Sequence, residues 1–132
     1  MKFIGKPSKG KVRNAQKIED CGILFDSKLE HYCWKQLKLF KIPFELKPKY
    51  NIMDGFRYLG EAIRPITLTP DFLLPNHNII VDTKGFSTDV SNIKFKLFKK
   101  YLLDNGKNYK VVILKNQKEV NAFIQELCTL QK

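Results

Sequence analysis

The chain has 132 residues, 43% of them hydrophobic and 28% charged, which suits one domain with a real core and disfavours wholesale disorder. Twenty-four Lys and Arg against thirteen Asp and Glu leave a formal charge of +11, a self-repelling excess that points to a polyanionic partner, nucleic acid first. No apolar run approaches the roughly 18 residues of a bilayer span, and Met1 to Asp20 has no apolar core of signal-peptide type, so no membrane partner and a cytoplasmic location are expected.

The opening MKFIGKPSKGKVRNAQK is rich in Lys and Arg, contains Gly5, Pro7 and Gly10, and shows no sustained periodicity. It predicts a flexible basic arm over residues 1–20, ahead of a single domain over 21–132. Such an arm either keeps the protein soluble or grips DNA through residues such as Lys11 and Arg13. From Ser27, the recurrence of Leu29, Cys33, Leu37 and Phe40 predicts a first helix that Pro43 ends. Residues 44–52 suggest a strand, Asp54-Gly55 a turn, and 56–59 with 63–68 a second extended pair around Gly60.

The stretch PDFLLPNHNIIVDTK at 70–84 is the most informative. Pro75-Asn76-His77-Asn78 is turn chemistry between two apolar runs, and a four-residue loop pairs Leu74 with Ile79, Leu73 with Ile80 and Phe72 with Val81. Asp71 is then expected to face Asp82, with Lys84 on the face of Asp82 and Thr83 pointing away. Like charges so opposed, with Cβ atoms about 4.5–5.5 Å apart, destabilise a sheet. A divalent cation such as Mg²⁺ resolves the conflict, since hard ions prefer carboxylate oxygens. Lys84 beside it would orient an attacking water and stabilise charge developing on a phosphate. The bland alternative is two strand-end aspartates and an ordinary surface ion pair.

Beyond Lys84-Gly85, a polar loop leads to Ile93, Phe95, Leu97, Phe98, Tyr101 and Leu102 at helical spacing, stopped by Asn105-Gly106. YKVVIL at 109–114 predicts a strand, and a final helix carries Val120, Phe123, Ile124 and Leu127 on one face. Cys21, Cys33 and Cys128 share no CxxC spacing and suggest neither a disulfide framework nor a zinc site; Cys33 and Cys128 are expected in the core.

Pro70-Asp71 followed by Asp82-Thr83-Lys84 resembles the motif of the PD-(D/E)xK nuclease superfamily. FDSKLEHYCWKQL and GFRYLGEAIRPITLTPDF are further similar to a small phage-type endonuclease family within it, so that the resemblance covers about residues 23–103. It implies an α/β fold with a restriction-endonuclease-like core, a mixed β-sheet flanked by helices in the order α-β-β-β-α-β-α. It also implies Mg²⁺, replaceable by Mn²⁺, held by Asp71, Asp82 and the Thr83 carbonyl, with Lys84 assisting the water. Relatives such as archaeal-type Holliday junction resolvases carry a further glutamate on the first helix, which makes Glu30 the fourth catalytic and metal-binding candidate. Ser27-Lys28-Leu29-Glu30 is equally a capping-box pattern, and both readings of Glu30 stay open.

The function expected is a metal-dependent DNA endonuclease leaving 5′-phosphate and 3′-hydroxyl ends, the polarity being implied by the resemblance. A homodimer acting on branched DNA, in DNA recombination and in a bacterial host cell if phage-encoded, is favoured because no sequence-reading module is evident. Alternatives are a phage nicking, flap or site-specific endonuclease, or a non-catalytic nucleic-acid-binding module on a degenerate nuclease fold. Lys94 on the second helix and Arg57 and Arg64 around the short extended pair are the phosphate-contact candidates. His31 and His77 are not expected to be catalytic, and Trp34 and Tyr58 are expected in the core.

Overall fold

The computed structural model describes residues 17–85 and 87–130. The fold is α/β, with three helices and several sheets among the described residues. A small antiparallel hairpin, β1 (Ile18–Asp20) and β2 (Ile23–Phe25), precedes the first helix and was not foreseen, because three-residue strands carry too little periodicity to be read. It lies partly within the stretch expected to be a flexible arm; Lys11 and Arg13 lie outside the described residues.

Helix α1 (Lys28–Leu39) starts where Ser27 adopts an extended backbone and its Oγ accepts from the Glu30 N–H over 3.1 Å. The extended run expected at 44–52 is broken into β3 (Glu45–Leu46) and β4 (Tyr50–Met53), because Lys47 takes a left-handed φ of 48° and Pro48 follows it. Next come β5 (Phe56–Tyr58), β6 (Glu61–Ile63), β7 (Ile66–Leu68), β8 (Phe72–Leu74) and β9 (Ile79–Thr83). Helix α2 (Asp89–Asp104), strand β10 (Lys110–Leu114) and helix α3 (Gln117–Leu130) follow.

The central sheet is mixed, in the order β10-β9-β8-β3. The β8–β9 hairpin has the expected register: Phe72 with Val81, Leu73 with Ile80, Leu74 with Ile79. Strand β10 adds parallel to β9, and α2 forms the crossover that parallel neighbours require. Alternation sorts the side chains into two cores. Phe72, Leu74 and Val81 pack with Cys33, Trp34 and Leu37 of α1 and with Val120, Phe123, Ile124 and Leu127 of α3. Leu73 and Ile80, on the opposite face, pack with Phe98 and Leu102 of α2.

Between β3 and β8 the chain leaves the sheet as a long ribbon, β4 pairing with β7 and β5 with β6. The base of the ribbon packs on α2 through Tyr50, Ile52 and Leu68. A Cβ at Gly55 would stand 3.0 Å from the Ile63 carbonyl oxygen and 3.1 Å from Pro65 Cδ, so a larger residue there would push the facing arm away by a few tenths of an ångström. Both strands of the outer hairpin are largely exposed, and Tyr58, expected in the core, is 60% exposed because no other layer among the described residues covers this hairpin's side chains. Ile93 and Leu97 likewise face outward, since α2 meets the sheet along Phe95, Phe98 and Leu102.

Candidate active site

Pro70 ends the ribbon and delivers Asp71 to the start of β8; Asp82 sits one residue before the end of β9, directly across the hairpin. The two acids do not simply oppose each other as expected. Asp71 lies in a bend outside the strand, and its carboxylate has turned toward Thr83: Oδ2 accepts from the Thr83 N–H over 2.8 Å and from Thr83 Oγ over 2.6 Å. Thr83 alternates with Asp82 on β9, so the two carboxylates straddle the strand end instead of sharing one face. Asp82 Oδ1 in turn accepts from the Asp71 N–H over 3.2 Å. Each acid is thus hydrogen-bonded by the other's strand, which offsets part of their repulsion.

The remainder of that repulsion appears in their titration. Burial, the charge of Asp82 and that of Glu30 push Asp71 up to about 7, against the lowering effect of the Thr83 hydrogen bonds. Burial also raises Asp82, with Lys84 acting the other way. Lys84 lies, as expected, on the face of Asp82, its Nζ 3.1 Å from Oδ2 and 5.7 Å from the ring centre of Phe95 on α2. The Lys84 N–H donates to the Leu114 carbonyl, which ties the backbone here to β10.

Glu30 fits the capping-box reading only in part. Ser27 caps the helix, but the Glu30 side chain does not close the capping box on the Ser27 N–H: Oε1 accepts from the Asp26 N–H over 2.8 Å. Its other oxygen, Oε2, points to Lys47, whose Nζ is 2.9 Å away. Glu30 is 1% exposed, an uncommon place for a carboxylate whose only task is a helix cap. Its charge acts on Asp71 and Asp82, and burial followed by the charges of Asp71 and Glu30 pushes the buried Cys33 thiol up to about 12.

Lys47 is the site residue that the sequence did not disclose. Nothing in FELKPKY distinguishes it from the other lysines, because its position follows from the left-handed turn after β3 and from its N–H donating to the Asp71 carbonyl over 2.9 Å. Burial opposes its charge, but Glu30 and Asp26 outweigh this and hold its ammonium above the ordinary lysine value. The cluster therefore comprises Glu30, Asp71 and Asp82 with Lys47 and Lys84, drawn from α1, the loop after β3 and the two strands of the hairpin.

Among the described residues no three His, Cys, Asp or Glu side chains are disposed to hold a metal ion as they stand. The chemistry of the donors nevertheless fits a hard cation: Glu30 Oε2 and Asp82 Oδ2 are buried, and each has a lysine ammonium as its partner, at 2.9 and 3.1 Å.

The other candidates stand elsewhere. Arg57 donates from Nη1 to the Gly60 carbonyl at the ribbon tip, and Arg64 is exposed after β6; both belong to the ribbon, not to the acidic cluster. Lys94 is half-buried in the first half of α2, one residue before the Phe95 beneath Lys84. His31 pairs with Asp20 over 2.8 Å, and His77 lies in the turn at the far end of the hairpin. No helix among the described residues is long and apolar enough to cross a membrane.

Residues 10–119 match the family described as "Protein of unknown function (DUF1064)". Neither a curated protein nor a solved structure matches the chain.

Proposed function

The chain belongs to the DUF1064 family, and from its own site we propose that it is a divalent-metal-dependent endonuclease hydrolysing DNA phosphodiester bonds on a PD-(D/E)xK-type, restriction-endonuclease-like core. One observation carries the reading: three carboxylates from separate elements, two of them buried with a lysine ammonium as partner, gather with Lys84 at the open end of an apolar hairpin in a strongly basic protein. A surface that only bound phosphate would gain nothing from burying acids there.

Glu30, Asp71, Asp82 and the Thr83 carbonyl would hold Mg²⁺, or Mn²⁺ in its place, and the ion would supply Lewis acidity and a water of lowered pKa. Lys84 has three donors and one close carboxylate partner, so it can also hold a water and a phosphate oxygen. Its charge opposes the negative charge that builds on phosphorus oxygens as the bond breaks. Thr83 fixes the rotamer of Asp71 through two hydrogen bonds, which keeps that carboxylate in place between turnovers. The 5′-phosphate and 3′-hydroxyl products, the preference for branched DNA, the homodimer and the cytoplasmic setting form part of the same proposal. They rest on the motif Pro70-Asp71 with Asp82-Thr83-Lys84 and on the net charge.

Supercoiled plasmid incubated with the protein should be nicked in Mg²⁺ and left intact in EDTA, and Asp82→Asn should abolish the nicking. DNA that is bound but uncut in Mg²⁺ would overturn the enzymatic reading and leave a nucleic-acid-binding module.

A further inference from the structure

Lys47 is placed by the site as much as it contributes to it. Its N–H is held by the Asp71 carbonyl, its backbone is left-handed without being glycine, and its Nζ stands 2.9 Å from Glu30 Oε2 and 3.3 Å from Asp26 Oδ2. The side chains of Lys47 and Asp26 are 33% and 67% exposed, against 2% for Glu30. The ammonium therefore sits at the mouth of the cluster, between a buried acid and solvent. A divalent ion taking Glu30 Oε2 would confront that ammonium at a few ångströms, and the exposed Asp26 offers it little hold. A lysine stem is long enough to move outward without disturbing the backbone.

We propose that Lys47 is an internal stand-in for the cation: it neutralises Glu30 while no divalent ion is bound, and on ion binding it is released to a DNA phosphate. Cation and DNA then bind with positive coupling. This inference rests on the nuclease reading of the same site. Glu30 Oε2 and Asp82 Oδ2 each face an ammonium. Lys84 stays beside Asp82 in the catalytic role, and Lys47 is the ammonium that moves.

The experiment uses Ca²⁺, taken as binding without supporting cleavage, with the full chain and a labelled duplex. DNA affinity is measured by anisotropy over a range of salt, in Ca²⁺ and in EDTA, and Ca²⁺ uptake without DNA is measured by calorimetry. In the wild type, Ca²⁺ should strengthen DNA binding, and DNA should strengthen Ca²⁺ binding by the same factor. Lys47→Gln, which can still donate to Glu30, should bind Ca²⁺ several-fold more tightly. In Ca²⁺ its slope of log affinity against log salt should be shallower by about 0.9, the loss of one phosphate contact. In EDTA it should match the wild type, and Lys47→Arg should match the wild type throughout.

An equal loss of DNA affinity in Ca²⁺ and EDTA would make Lys47 a fixed phosphate contact and overturn the proposal. Unchanged or weaker Ca²⁺ binding in Lys47→Gln would overturn it too, as would a wild type without coupling, a result that needs no variant. In any of these cases, loss of Ca²⁺ uptake in Asp82→Asn would show that the cation site stands and that only the role of Lys47 falls. If the wild type takes up no Ca²⁺, the nuclease reading falls with it.

Discussion

The N–H of Asp71 donates to Oδ1 of Asp82 across the mouth of the hairpin, at 3.2 Å. The same aspartate turns its own carboxylate to Thr83, so the two carboxylates lie on either side of the strand end and their repulsion is only partly offset. Removing either charge should therefore relieve repulsion without unfolding the hairpin. Asp71→Asn and Asp82→Asn should each abolish cleavage while binding DNA as tightly as the wild type or more so. Nuclease assay and gel shift on the same preparations check this, and full activity in either variant would remove the proposed site.

Protonation should act on stability in a defined direction. Asp71 is raised from 3.8 to about 7, so the native state holds its proton more firmly than the unfolded chain does. The stabilisation this gives is fully present below about pH 4 and is lost as pH rises through about 7. In EDTA, the melting temperature of the wild type relative to Asp71→Asn should fall between pH 4.5 and 8. A difference that is flat or rises with pH would contradict the burial and charge crowding at Asp71.

Glu30→Gln separates helix capping from catalysis. The Gln carbonyl can still accept from the Asp26 N–H and Ser27 still caps, so the stability cost should stay near about 1–2 kcal/mol. Cleavage should fall at least about a hundredfold, equivalent to about 2.7 kcal/mol of lost transition-state stabilisation. Unfolding melts and single-turnover rates distinguish the two; a lowered melting temperature with a normal rate would return Glu30 to a purely structural role.

Lys84 should matter to rate and hardly to affinity. Lys84→Ala in Mg²⁺ should lower the cleavage rate by about 10²–10³, the usual effect of losing one preorganised electrostatic donor. Its DNA affinity should change little, because the bulk of the charge attracting DNA lies elsewhere on the chain. Cleavage at the wild-type rate would show that the ammonium beside Asp82 is an ordinary ion pair.

What the sequence by itself determined was local. The turn Pro75-Asn76-His77-Asn78 between two apolar runs specified the β8–β9 register, and with it the placing of Asp71 and Asp82 at one end. Ser27, Asn105-Gly106 and the apolar stripe of Val120, Phe123, Ile124 and Leu127 marked helices because capping and a 3.6-residue period are properties of neighbouring residues. Tertiary structure decided what depends on distant segments meeting. It buried Glu30 against Lys47, seventeen positions further on (47 minus 30). It turned the Asp71 carboxylate to Thr83 and held the Asp71 carbonyl against the loop after β3. It also left Tyr58, Ile93 and Leu97 outside, although their types suit a core. A residue's type sets what burial is worth, but only the packing of separate elements decides which faces are covered and which charges are brought together.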